Sequence, residues 1–576
     1  MKVIPLSDCN IRIGGEAGQG MQTIGSVLAR SLARAGWEVF GNQDVESRIR
    51  GGHSFINVRV ASKRHRAVAD YVDILVALDN PTREIHRDKV RENGVILFDP
   101  GSDENPKLDG SEIPIPFLKI AKDGGGSRVM INAVASGAVL TLLGLDLTEF
   151  EKVVSDEFSD KGAEIVEGNI RAARAGAQYI TEHADHQFKL DGNPHPKGLP
   201  VITGNHAIAM GALAAGCRFM SAYPMSPSTS IMEFLSTTSD KTGFFVEQAE
   251  DEISAINMAI GASFTGVRSM AATSGGGFSL MVEALGLAGM TETPLVVVEC
   301  QRPGPATGLP TRTEQADMMF LIHAAQGEFP RAVLTPGSVE EAFKLAAHAF
   351  NLADKYQTPV LIMSDQHLSD SFTTFEPFNF DEINIDRGET VTDRTSAGEN
   401  YMRYKITESG ISPRVIPGTK DVIVRADSDE HVEEGLIAES AEDRHAQASK
   451  RMRKMSGLER EIIEPELYGP ENAKTVLVGW GSTKGAIREA VDILNRHGEK
   501  FRSVHFLQVW PFPGKSFVKI LPDSDRWISI EGNATGQLAR LIRMETGLEA
   551  SDRLLKFDGR PWQPSEIVEK LNVEVR

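Results

Sequence analysis

Apolar and polar positions along the chain follow two periods in alternation. Short apolar runs at Asn10–Gly14, Glu38–Phe40, Phe55–Val60, Asp73–Leu78 and Val95–Asp99 predict strands. Between the first two, Ile24, Val27, Leu28 and Leu32 recur on one helix face, a stripe suited to covering a sheet. The pattern predicts a strand, loop and helix opening an α/β layer fold. A polar stretch containing His and Pro, residues 183–200, breaks the periodicity and reads as a linker, so residues 1–182 form the first expected domain. Alternation resumes over residues 201–375, with strands at Leu295–Cys300, Arg331–Leu334 and Val360–Met363. Within that block, Ser338 followed by Glu341 ahead of Phe343, Ala346 and Ala347 is a capping-box helix start. Over residues 376–470 the periodicity weakens and charge clusters such as Asp427–Glu434 and Glu442–Lys454 dominate, which predicts an irregular charged insertion that faces a partner. Strands at Thr475–Trp480, Ser503–Val509 and Trp527–Glu531 around a helix over 483–497 make a last α/β domain, residues 471–576. The expected fold class is α/β, with several doubly wound domains.

Length and charge narrow the functions this pattern allows. At 576 residues the chain exceeds what one hydrophobic core serves. A formal net charge of −19 argues against nucleic acid or an anionic membrane as partner. No stretch approaches the ~20 apolar residues of a spanning helix, and the N-terminus lacks the basic-then-apolar pattern of a signal peptide. The expected location is the cytoplasm. Cys9, Cys217 and Cys300 stand apart without any Cys-x-x-Cys spacing. An iron–sulfur cluster or structural zinc normally takes about four Cys or His ligands, so no metal site is expected on this chain.

Two regions carry candidate chemistry. In the first, Gly14-Gly15-Glu16-Ala17-Gly18-Gln19-Gly20 joins the first strand to the amphipathic helix, where backbone N–H groups can cradle an anion. The glycine order, Gly15-x-x-Gly18-x-Gly20, is reversed from the dinucleotide fingerprint, and no Gly-Lys-Ser/Thr follows. A phosphate-bearing ligand other than NAD, or a purely structural tight turn, fits better. Arg48-Ile49-Arg50-Gly51-Gly52-His53 adds a cationic, glycine-rich segment, which reads equally as a solvated turn.

The second region combines Tyr223-Pro224-Met225-Ser226-Pro227-Ser228, a proline-stiffened loop presenting hydroxyls, with the acidic run Glu247-Gln248-Ala249-Glu250-Asp251-Glu252. Acidic residues complement a helix N-terminus, which accounts for Glu247, Glu250 and Asp251. Glu252 differs. It begins the run Ile253-Ser254-Ala255-Ile256, too apolar for a solvent face, and a buried carboxyl group can share a proton with a ring nitrogen.

These segments, with Thr273–Gly277 and Arg302–Thr311, resemble in order the alpha subunit of 2-oxoacid:ferredoxin oxidoreductases. Residues 10–180 resemble the family's gamma domain fused ahead of alpha, and the similarity covers nearly the whole chain, most like the 2-oxoglutarate enzymes. The resemblance implies thiamine-enzyme-type α/β domains, with a pyrimidine-binding domain at residues 201–375 and a transketolase-like C-terminal domain. It implies CoA-dependent oxidative decarboxylation of a 2-oxoacid to acyl-CoA and CO2, or the reverse, with electrons passing to ferredoxin. By the same resemblance Glu252 contacts the aminopyrimidine N1′ of thiamine diphosphate, with Tyr223 and Pro224 beside the cofactor. Ser226, Arg302 and Thr311 bind substrate, and Arg312 is a candidate partner for a second carboxylate, favouring 2-oxoglutarate over pyruvate or a branched-chain 2-oxoacid. Ser226 stands where the family usually has threonine. Coenzyme A is expected at Gly18, Gly20, Arg48 and Arg50. No Gly-Asp-Gly motif occurs in the chain. A beta subunit is therefore expected to bring the diphosphate–Mg2+ site and a [4Fe-4S] cluster, the assembly being a dimer of heterodimers. The rival reading is a non-catalytic assembly or regulatory subunit.

Overall fold

The computed structural model describes residues 2–17, 19–48, 51–101, 108, 111–398, 400–521 and 526–572. They fall into two compact units. The smaller comprises residues up to 202 with 371–377 and 563–569, and the larger comprises the rest.

The smaller unit is built on an eight-stranded mixed sheet. Its central strand, Asp8–Ala17, runs parallel to Val72–Ala77 and antiparallel to Gly51–Ala61. Helix Met21–Arg34 covers the sheet with the expected stripe of Ile24, Val27, Leu28 and Leu32, all buried. Glu38–Asp44 pairs antiparallel with Gly51–Ala61 without a helix between them, so this half of the sheet is not doubly wound. The stretch expected as a linker holds strand His186–Leu190, which pairs in parallel with Lys2–Leu6. Its low hydrophobic periodicity reflects a two-stranded edge ribbon.

Among the described residues the larger unit holds two large sheets and a two-stranded ribbon, Thr390–Val391 with Arg414–Val415. Parallel strands Phe245–Gln248, Phe219–Ala222, Ser269–Thr273, Leu295–Gln301, Pro359–Asp365 and Ala332–Leu334 lie in that order, closed by antiparallel Gln508–Trp510. A five-stranded sheet is centred on Thr475–Trp480. The expected strand Ser503–Val509 is therefore two: Phe501–Phe506 stays in the five-stranded sheet, and Gln508–Trp510 crosses into the other. One apolar cluster holds residues from both sheets, Val297 and Leu361 with Val478 and Val504. The runs at 295–300 and 360–363 are legible because parallel strands buried on both faces are continuously apolar. The α/β fold class is as expected. Among the described residues, no helix is long and apolar enough to cross a membrane.

The charged insertion is partly internal: its main helix, Ala441–Arg460, buries Lys450, Arg451 and Lys454 and leaves Arg444 and Arg460 exposed. Lys450 Nζ and Lys454 Nζ lie 2.6 and 2.5 Å from the two carboxylate oxygens of Glu292, which is fully buried. Arg403 closes the knot by donating to the Glu292 carbonyl at 2.7 Å. These cations hold the Glu292 carboxyl well below the usual carboxylate range despite its burial. Part of this charged insertion is thus an internal ionic clamp.

Removing one member of a buried ion set strands the others, at a cost of about 3–5 kcal/mol. Glu292→Gln is expected to lower unfolding stability by about 3 kcal/mol in denaturant titrations of the complex. Because the folded-state pKa is depressed, the wild-type contribution is present above pH ~4.3 and is lost on acidification below it. The difference between wild type and variant should shrink there.

Candidate active site

Four parallel strands of the larger unit end side by side, and the chemistry-bearing loops follow directly from their carboxyl ends. Tyr223–Ser228 follows Phe219–Ala222, the 249–251 turn follows Phe245–Gln248, Ser274–Gly277 follows Ser269–Thr273, and Arg302–Thr311 follows Leu295–Gln301. This crevice outside the strand ends is where open α/β sheets bind ligands.

Of the acidic run, only Asp251 caps the helix, accepting from Ser254 N at 2.7 Å. Glu247 lies on a strand and Glu250 in the turn, so neither serves the helix N-terminus as expected. Glu252 is the first residue of helix Glu252–Phe264, with 3% of its surface exposed. Its Oε1 is buried and has no hydrogen-bond partner. The same is true of Ser274 Oγ, at the start of helix Gly275–Met290. Glycine makes room for this carboxylate. A Cβ on Gly277 would sit 2.6 Å from Glu252 Oε1 and would also overlap Thr273 Oγ1.

Arg302 reaches across to the first loop, its NH1 donating to the Ser226 carbonyl at 2.8 Å. Partial burial lowers its pKa below the usual guanidinium range. Ser226 and Tyr223 are exposed, Pro224 half-buried, and Thr311 and Arg312 half-buried further along the second loop. The structure thus joins Ser226 and Arg302 directly and sets Gly277 against Glu252. The helix face beside Glu252 is open: Ile253 and Met258 are 53% and 41% exposed, although the sequence pattern had placed Ile253 in a buried run.

In the smaller unit, Gly20 sits at the start of helix Met21–Arg34 with a positive φ of 83°. It borders a cavity of about 610 Å³, lined also by Gln19, Asp99, Arg128 and Asn132. Arg128 and Asn132 escaped the sequence reading because no local motif marks them. Arg48 is exposed and pairs with Glu46 at 3.2 Å. Gly18 and Arg50 lie outside the described residues. His53, the last member of the cationic segment, is drawn into a chain beneath Gly14: Arg12 approaches His86 Nδ1 at 3.1 Å, and His86 Nε2 lies 2.8 Å from His53 Nε2. Burial and the neighbouring Arg12 depress His86 to about 3, so it stays neutral.

Comparison with known proteins covers nearly the full length of the chain. The chain is 36% identical to the 2-oxoacid:ferredoxin oxidoreductase subunit alpha of Sulfolobus sp, over 97% of this chain and 96% of that one. The chain belongs to the 2-oxoacid:ferredoxin oxidoreductase family. Residues 210–450 match the family model described as pyruvate flavodoxin/ferredoxin oxidoreductase, thiamine diP-bdg. Residues 10–179 and 473–567 match the pyruvate ferredoxin/flavodoxin oxidoreductase and pyruvate:ferredoxin oxidoreductase core domain II models. The 2-oxoglutarate oxidoreductase subunit KorA of Mycobacterium tuberculosis is 29% identical over 93% of this chain and 87% of that one. Among solved structures, the 2-oxoglutarate:ferredoxin oxidoreductase from Magnetococcus marinus, with 2-oxoglutarate, coenzyme A and succinyl-CoA bound, superposes with a TM-score of 0.91. It is 33% identical and covers 99% of this chain and 100% of that one. This 2-oxoacid:ferredoxin oxidoreductase subunit is therefore built on the same fold as an enzyme of 2-oxoglutarate.

The glycine wall gives a sharp test. Gly277→Ala is expected to push the Glu252 carboxylate aside and lower turnover of the assembled oxidoreductase by about 10²-fold or more. Gly276→Ala, whose added Cβ would meet only Ala306 O at 3.8 Å, should change it little. Steady-state kinetics of both, with circular dichroism to check folding, decides between them.

Proposed function

We propose that Glu252 is the carboxylate that holds the aminopyrimidine ring of thiamine diphosphate, in an enzyme acting on 2-oxoglutarate. The observation that carries this reading is the buried Glu252 Oε1 that no group among the described residues satisfies, with Ser274 Oγ, at the start of the helix whose Gly277 lies against Glu252, also unsatisfied. Buried polar atoms are rarely left unpaired, and an aminopyrimidine offers the alternating ring nitrogens and amino group that these two atoms lack. When bound, the cofactor supplies the carbanion that adds to the 2-oxo carbon and stabilises the decarboxylated product. Glu252 holds a proton at the ring nitrogen and so governs the basicity of the amino group across the ring. Arg302, steadied by the Ser226 carbonyl, offers its remaining N–H groups to the 2-oxoacid carboxylate, with Thr311 beside it. Arg312 is the candidate for the second carboxylate of 2-oxoglutarate.

The diphosphate, Mg2+ and [4Fe-4S] cluster belong on a beta subunit, which would pass electrons to ferredoxin. The sequence has no Gly-Asp-Gly motif, and its three cysteines are buried. The exposed apolar side chains on the helix that begins at Glu252, Ile253 and Met258, suit coverage by that subunit. Coenzyme A is assigned to the cavity beside Gly20. There the helix N-terminus and Arg128 would meet its phosphates, and Arg48, engaged with Glu46, plays the lesser part.

Co-purified with its beta subunit, the enzyme should reduce viologen with 2-oxoglutarate and coenzyme A faster than with pyruvate. Glu252→Gln is expected to cost about 10²- to 10⁴-fold in kcat, and Glu250→Gln far less. Near-normal activity in Glu252→Gln, or equal losses at both positions, would move the catalytic role elsewhere.

A second measurement concerns the smaller unit. Arg128→Ala should raise the apparent coenzyme A requirement while leaving the 2-oxoacid KM little changed, because it removes binding from one substrate only. A matching shift for both substrates would reject this assignment.

A further inference from the structure

Behind the substrate loop lies a carboxyl group that the chemistry above does not use. Glu299 occupies the strand Leu295–Gln301, three residues before Arg302, with 0% of its surface exposed. Neither of its oxygens meets an N–H or O–H donor. Its side-chain contact is with another acid, Asp317. The charged groups that reach Glu299 are Asp317 and Asp365, and Glu314 reaches Asp317; no cation is among them. Asp365 is already engaged by Leu368 N at 3.0 Å and by the amide of Gln315 at 3.4 Å. The thiol of Cys300, next in the strand, is buried and protonated.

Two carboxylates in contact without a cation repel one another, so the geometry requires a proton between them. Asp317 is the better place for the remaining charge. Its carboxylate packs against Gly275, the first residue of helix Gly275–Met290, where the helix dipole favours an anion. Asp317 is itself fixed in place. Its backbone N–H donates to Gln301 Oε1 at 3.0 Å, and the preceding Gln315 is bonded to Trp480 and Gly532 of the five-stranded sheet. The turn that Asp317 touches at Gly275 reaches Glu252 two residues later at Gly277.

We propose that Glu299 and Asp317 share one proton as a positioning pair, which holds the 275–277 turn against Glu252 and so keeps the cofactor carboxylate in place. The proposal rests on the reading of Glu252 above. Loss of the shared proton would set two carboxylates against one helix start, driving the turn and the glycine wall of Glu252 apart. Burial pushes the Glu299 carboxyl well above its ordinary range, Asp317 up to about 6 and Glu314 up to about 7. Each group has a folded-state pKa above its unfolded value. Each therefore contributes stability that is complete below the ordinary carboxylate range and is lost as pH rises through its folded value. The losses from Asp317 and Glu314 are mostly complete near neutrality, and any further loss on the alkaline side belongs to Glu299.

The test uses the assembled complex with wild type, Glu299→Gln, Glu299→Ala and Asp317→Asn. Three readouts are needed: thermal unfolding against pH, kcat against pH, and the infrared band of a buried protonated carboxylic acid. Wild type should show the band at mildly alkaline pH, where Asp317 and Glu314 have lost their protons, and lose both unfolding temperature and kcat on further rise. Glu299→Gln keeps a donor toward Asp317 but has no proton to lose. It should lack the band, flatten both alkaline declines and recover most of the turnover, about tenfold, that Glu299→Ala forfeits. Asp317→Asn should lower kcat without restoring the alkaline activity. Superimposable wild-type and Glu299→Gln profiles, or a band that survives in Glu299→Gln, would overturn the pair. A flattened unfolding profile with an unchanged kcat profile would overturn its link to Glu252. The unfolding and infrared arms do not involve turnover, so they report on the pair even if Glu252→Gln proves active and the catalytic reading fails.

Discussion

Burying a carboxylate costs several kcal/mol unless cations or donor hydrogens meet it, and the larger unit answers that constraint in three ways. Glu292 is surrounded by Lys450, Lys454 and Arg403, so it keeps its charge and clamps the 441–460 helix to the core. Glu299 faces only other acids and is neutral by sharing a proton. Glu252 has an oxygen that nothing among the described residues satisfies. An atom of this kind is where the proposed aminopyrimidine would find its acceptor. The same physical cost thus meets an ionic clamp at Glu292, an acid pair at Glu299 and an unpaired carboxylate oxygen at Glu252 within one fold.

The sequence was most readable where burial is complete and local. Buried parallel strands such as Leu295–Gln301 and Pro359–Asp365 are continuous apolar runs that no helix face would produce. The N-terminal helix was legible because its stripe faces a single sheet. The clamp was not, because a helix carrying charge on every side looks solvated unless Glu292, 158 residues from Lys450, is known to be its partner. The crossing of Gln508–Trp510 into the second sheet was hidden for a similar reason: nothing in a run of apolar residues marks the point where it changes neighbours.

The candidate site was legible in part. Glu252 stood out by its place ahead of an apolar helix, and Arg302 by the motif around it. Gly277, Asp317 and Arg128 did not, because each matters through what it touches across the fold. A glycine opposite a carboxylate carries no local signature, and its role appears only when a Cβ is imagined against Glu252. Ile253 was misread in the opposite direction. Its spacing fits a buried helix face, but in this chain alone that face is open, which is what an oxidoreductase subunit requiring a second chain would present.

The departure from threonine at Ser226 can now be weighed physically. Arg302 is steadied by the Ser226 carbonyl and not by its side chain, so the missing methyl leaves that anchor intact. The Ser226 side chain is exposed toward the crevice, while the following Ser228 ties the loop to itself through the Met225 carbonyl at 2.8 Å. Asn205 adds a second tie from below, donating to the Pro227 carbonyl at 2.8 Å. Loop shape is therefore set by backbone contacts and by residues other than 226. A serine hydroxyl there has more rotational freedom than threonine, whose branched side chain is restricted at χ1. The substitution acts on how freely the residue 226 hydroxyl turns, and leaves the Arg302 guanidinium where the fold puts it.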